Sequence, residues 1–84
     1  MKIRLTDSVT IKQYSILKPE VEHEFPTTVP TLEALTATQA LLDETVDFQL
    51  NVIVDRMTPK DIHKTLQDAS IDKRFRTKLE TAIK

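Results

Sequence analysis

The sequence predicts an α+β fold: a small N-terminal antiparallel β-hairpin or sheet over residues 2–25, a long helix over 31–57, and two shorter C-terminal helices over 59–84. Three observations predict it. Apolar and polar residues alternate before Pro26, the period of a strand with one buried face. From Thr31 onward apolar residues recur three and four apart, the period of a helix. Proline-bearing breaks at Pro26–Pro30 and Thr58–Pro59 separate the segments. With 84 residues the chain forms one domain with a thin core, so association with itself or a partner would supplement its stability.

In the β region, Ile3, Leu5, Val9 and Ile11 share one parity, with Asp7–Ser8 as a turn between the two pairs. Leu17, Val21 and Phe25 point one way, and Lys18, Glu20, Glu22 and Glu24 the other. Antiparallel pairing would bring Lys2, Arg4 or Lys12 close to Glu20, Glu22 or Glu24 across the ladder. Pro19 cannot donate to a ladder and suits a strand start or an edge. Pro26-Thr-Thr-Val-Pro30 reads as a stiff extended connector.

Wound at about 100° per residue, the segment from Thr31 to Met57 places Leu32, Leu35, Leu42, Val46, Leu50, Ile53 and Met57 in one arc. Ala34, Leu41, Phe48 and Val52 form a second row, with Glu33, Asp43, Glu44, Asp47 and Asp55 opposite. So wide an apolar face can cover a sheet and still accept a second helix or a second copy of the chain. Thr31 is the expected N-cap, with Glu33 favourably placed in the first turn. Phe48–Val54 also alternates as a strand would, in which case the helix would stop near Thr45. The lack of Gly, Pro or a turn cluster between Asp43 and Phe48 favours the helix.

Thr58-Pro59-Lys60-Asp61 places threonine at the N-cap, proline at the first helical position and an acid two residues later, a capping-box-like start. The helix over 59–69 is expected to turn Ile62, Leu66 and Ala69 inward. Ser70 would then cap a last helix, with Ile71, Phe75, Leu79, Ala82 and Ile83 as its stripe.

Composition narrows the chemistry. The chain has no cysteine, which excludes disulfides, thiolate metal sites and cysteine nucleophiles. It also has no glycine, so phosphate-cradling loops, dinucleotide fingerprints and nucleophile elbows cannot form in their usual versions. His23, expected toward the core, and His63, expected toward solvent, have no second ligand at metal-site spacing. No catalytic arrangement stands apart from ordinary surface charge. Neither a catalytic centre nor a metal or other cofactor is expected. Neither a secretory signal nor an apolar run of spanning length is present, which predicts a cytoplasmic location without membrane insertion.

The net charge of −1 is unevenly spread: residues 18–58 sum to −6, and 71–84 to +3. Glu20, Glu22 and Glu24 on a strand, with Asp43, Glu44 and Asp47 on the long helix, would present an acidic surface to a basic partner. Leu41, Phe48 and Val52 are the residues expected to meet a second chain, most simply in a homodimer. The alternative is a nucleic-acid-binding accessory protein. It would use the basic last helix, with Lys73, Arg74, Arg76, Lys78 and Lys84, for phosphate contacts. The sheet face carrying Lys12 and Tyr14, beside Lys2, Arg4, Thr6 and Thr10, would offer single strands charge but only one stacking platform.

The opening Met1-Lys-Ile-Arg-Leu-Thr-Asp-Ser-Val-Thr-Ile-Lys-Gln-Tyr-Ser-Ile-Leu-Lys-Pro-Glu-Val-Glu22, followed by a connector and an acidic helix, resembles small accessory proteins of phages and prophages of Gram-positive bacteria. The resemblance covers about the first third and implies a role in phage DNA metabolism or in modulating or inhibiting a host protein, in the host cytoplasm. It assigns no functional residue.

Overall fold

The computed structural model describes residues 1–83. Strands β1 (Lys2–Thr6), β2 (Val9–Lys12), β3 (Ser15–Leu17) and β4 (Glu20–Glu24) precede helices α1 (Thr31–Asp55), α2 (Pro59–Leu66) and α3 (Lys73–Ala82). The fold is α+β, in the predicted order. The four strands are successive halves of one bent antiparallel hairpin, β1 pairing with β4 and β2 with β3. Asp7–Ser8 is therefore a kink between two strands rather than a hairpin turn, and the Asp7 amide donates to the Pro19 carbonyl across it at 3.0 Å. Reversal occurs at Gln13–Tyr14, where Tyr14 takes φ 66°. Without a glycine to accept that left-handed conformation, a bulky residue adopts it at a steric cost.

The register places Arg4 opposite Glu22 and Thr6 opposite Glu20 on the solvated face. Diagonal ion pairs link Lys2 to Glu22 at 3.2 Å and Arg4 to Glu20 at 2.5 Å. On the other face Ile3 is buried and Leu5 and Val21 half-buried against α1. His23 has the parity of Ile3 but remains exposed, edge-on to Phe25 at a ring distance of 4.6 Å, and so does not enter the core.

Helix α1 is continuous through Phe48–Val54, which settles the strand alternative against itself. Its N-cap is Pro30, with no side-chain capping bond, whereas Thr31 lies inside the helix and directs its hydroxyl to the Met1 sulfur. The buried residues of α1 are Ala34, Thr38, Leu42, Val46 and Leu50, a strict i, i+4 row. Such a row drifts by about 40° per step. The buried side therefore turns through about 160° from Ala34 to Leu50. Two different partners explain the drift. The β1–β4 sheet lies along the first half, with Met1 at Thr31. Helix α3 lies along the second half, with Lys78 ion-paired to Asp47. Leu32 and Leu35 share the arc of Leu50 in projection but sit at the sheet-covered end, where that arc faces water, so they are exposed. Thr38, the one polar member of the row, is fully buried and donates to the Ala34 carbonyl at 2.8 Å.

The main core joins Val9, Leu42, Val46, Leu50, Ile62, Ile71, Phe75 and Leu79, so both ends of the chain meet on the second half of α1. Thr58 and Asp61 form the full reciprocal capping box expected of α2. Helix α2 ends at Leu66, leaving Ala69 exposed in the following loop. There Ser70 bonds to Asp68 rather than capping α3. Asp72 is the actual cap, accepting from the Arg74 amide at 2.9 Å, and its own amide donates to the Thr10 carbonyl of β2 at 2.8 Å. Ile71, Phe75 and Leu79 are buried as predicted, while Ala82 and Ile83 are exposed beyond the reach of the core. Lys84 lies outside the described residues.

The result is elongated, 51 × 25 × 17 Å, with a radius of gyration of 15.6 Å. A compact chain of this length would have about 12 Å. Helix α1 is a spine longer than either element packed on it.

Candidate partner-docking face

The sequence from Thr31 to Asp55 contains five acids and no basic residue. The i, i+4 burial of α1 leaves one long side without a neighbour. Ala37 and Leu41 lie on it, then Phe48 and Val52, spaced by four, seven and four residues and therefore on one side of the rod. Phe48 is 68 % exposed and Leu41 41 %, with Val52 half-buried beside them. An aromatic ring left two-thirds in water in the middle of a helix forgoes about 1.5 kcal/mol or more of available burial. Glu44 stands three and four residues from Leu41 and Phe48, and Asp55 three residues beyond Val52, so both acids border the same apolar strip. The three residues expected to meet a second chain are thus together and accessible.

Sequence reasoning missed a second exposed apolar stretch on the first half of α1, where Leu32 is 77 % exposed beside Thr36, Ala37 and Ala40. Its signal was the three small or hydroxyl-bearing residues Thr36, Ala37 and Ala40, too short to demand a deep neighbour. A third exposed place is the hairpin tip, where Tyr14 is 95 % and Ile16 51 % exposed. The tip is braced by the Gln13 amide, which donates to Asp68 at 3.0 Å.

The whole chain exposes 6042 Å². A compact monomer of 9.6 kDa would expose about 5,100 Å², so the excess is about 950 Å². One partner of a standard interface contributes about 800 Å².

The expected acidic surface divides in two. Glu20 and Glu22 are held by Arg4 and Lys2 on the outer face of the sheet, with Glu24 exposed alongside them. The Arg4 guanidinium, hydrogen-bonded to Glu20, holds that carboxyl below its usual range. On α1, Asp47 pairs with Lys78, and Asp43 accepts from the Gln39 amide at 2.9 Å, whereas Glu44 is exposed next to Phe48.

The basic residues of α3 turn inward. Arg74 reaches both oxygens of Asp7 at 2.7 and 3.3 Å and both oxygens of Asp72 at 3.1 and 3.2 Å. Hydrogen bonds from that guanidinium hold the Asp7 and Asp72 carboxyls below the usual range, and the two carboxylates raise Arg74 in turn. Arg76 donates to the carbonyl of Leu66 at the end of α2 at 2.9 Å and to that of Asp68 in the following loop at 2.8 Å. With Lys78 on Asp47, three of the four described cations proposed for phosphate contact already have partners inside the molecule. Lys73 and Lys12 are exposed without an ion pair among the described residues, and they lie on different elements. Tyr14 occupies the hairpin turn rather than a strand face.

His63 is exposed on α2, and among the described residues no three or more His, Asp or Glu side chains cluster as a metal site would require. No helix among the described residues is long and apolar enough to cross a membrane. No family model, curated protein or solved structure matches this chain.

Proposed function

We propose that the protein is a non-enzymatic interaction module that binds a macromolecular partner through the Leu41–Phe48–Val52 side of α1. The observation that carries this reading is the exposure of Phe48 midway along a helix that buries only its Ala34–Leu50 row, against a sheet and α3. The elongated shape and the excess surface, close to one side of a standard interface, support it further. The resemblance of the first third to phage and prophage accessory proteins favours a host or phage macromolecule as the partner, with inhibition or modulation as the outcome. The nucleic-acid alternative loses support because Arg74, Arg76 and Lys78 are engaged within the fold and the long helix beside them is acidic.

Phe48→Ser tests the proposal, since an exposed side chain can be truncated at a stability cost within about 0.5 kcal/mol. Immobilised wild-type chain and the variant are exposed to the same host lysate, and light scattering records their masses. The reading expects a captured protein, or a self-association, that the substitution removes. Identical captures and identical masses would refute it.

A further inference from the structure

The proposed docking face has a charge signature that restricts its occupant. Every ionisable residue between Thr31 and Asp55 is an acid, and Glu44 and Asp55 border the Leu41–Phe48–Val52 strip directly. Arg56, just past the helix, is the nearest base in the sequence. A second copy laid on this face would set Glu44 and Asp55 of one chain against those of the other, since Lys78 is already engaged by Asp47. Anionic lipid and nucleic acid meet the same repulsion. The bare strip from Leu41 to Val52 is about 16 Å long, roughly three helical turns. A straight ridge of that length accepts another helix lying alongside, anchored by apolar residues at i, i+3, i+4 and i+7.

We infer that the strip takes a basic amphipathic helix from a different protein. Its apolar side would pack on Phe48 and Leu41, and its Lys or Arg residues would reach Glu44 and Asp55. This rests on the docking reading above and adds the identity of the occupant by chemical class. Burial of Phe48 supplies the affinity. The acids select the sign of the partner, speed the encounter and make it dependent on salt.

The test uses the full chain and two labelled synthetic 18-residue helices, followed by fluorescence anisotropy. One carries leucine at the four anchor spacings, lysine at the positions flanking them and alanine elsewhere, and the other replaces each lysine by glutamate. The lysine helix is expected to bind saturably and to weaken as salt rises. Affinity should fall roughly tenfold or more in Phe48→Ser, the loss of a central aromatic anchor. A comparable fall is expected in the Glu44→Lys, Asp55→Lys double variant. Equal binding of the glutamate helix would overturn the inference, and so would unchanged binding of the lysine helix to Phe48→Ser. A wild-type dimer that Phe48→Ser converts to a monomer, with no lysine-helix binding, would keep the docking reading and remove only the basic helix. Absence of any peptide binding together with a Phe48-independent mass and capture pattern would remove both.

Discussion

Replacing Arg74 by methionine keeps the length and apolar stem of the side chain and removes a guanidinium that ties the start of α3 to the β1–β2 kink. In the native chain that group contacts Asp7 at the β1–β2 kink and Asp72 at the start of α3. Arg74 is 44 % exposed, while Asp7 and Asp72 are 25 % and 23 % exposed. Each pair alone, at a partly solvated site, contributes about 0.2–1 kcal/mol. Leaving two half-buried carboxylates beside each other without their shared cation adds repulsion, and the combined loss is about 1–2 kcal/mol. A chain of this size has a urea slope of about 1 kcal/mol per molar, so the unfolding midpoint should fall by about 1–2 M. The assay is urea denaturation followed by circular dichroism, repeated with Asp7→Asn and with both substitutions. The double variant should lose less than the sum of the singles, by about 0.5–1 kcal/mol. A midpoint within about 0.3 M of wild type, or strict additivity, would refute the assignment of Arg74 as a structural clip. It would also return that side chain to the pool available for nucleic acid.

Three further outcomes follow from the same structure. Asp7 and Asp72 are held below the ordinary carboxylate value in the folded state, so their stabilisation is complete above the unfolded value of about 3.9 and lost as pH falls through the depressed folded values. Wild-type stability measured from pH 6 down to pH 2 should therefore decline at the acid end, and the decline should be shallower in Arg74→Met. A parallel decline in both proteins would contradict the cause assigned here. Tyr14→Gly relieves a left-handed backbone strain of about 1 kcal/mol and should leave stability unchanged or raise it, whereas a clear fall in urea midpoint would contradict the strain. Phe75→Ala empties the centre of the main core at a cost of about 3–5 kcal/mol, a large share of the stability of a small domain, and should abolish or strongly shift the cooperative transition. A loss below about 1 kcal/mol would contradict the burial of Phe75 against α1.

The sequence by itself determined the features that depend on neighbours within a few residues. Thr58, Pro59 and Asp61 specify the start of α2, because a capping box closes over four residues. The run from Thr31 to Asp55 has no Gly or Pro to break it and so favours one helix, although the alternation at Phe48–Val54 left a strand open until the fold closed it. The alternation around Ile3, Leu5 and Val21 specifies which strand face is buried, because a two-residue period allows only two choices. Lys2 and Arg4 then had to meet the glutamates of β4.

Tertiary structure decided what depended on elements distant in sequence. A helical projection of α1 treats its buried side as one fixed direction, yet the sheet covers one half and α3 the other. Burial therefore follows Ala34, Thr38, Leu42, Val46 and Leu50, and Leu32 is left in water. The same holds for charge. Arg74 and Arg76 read as a phosphate-binding surface until the fold brings Asp7 and the carbonyls of Leu66 and Asp68 within hydrogen-bonding distance. Phe48 is the reverse case. Its periodicity marks it for burial, and only the placement of the sheet and α3 elsewhere leaves that side of the spine open to a partner.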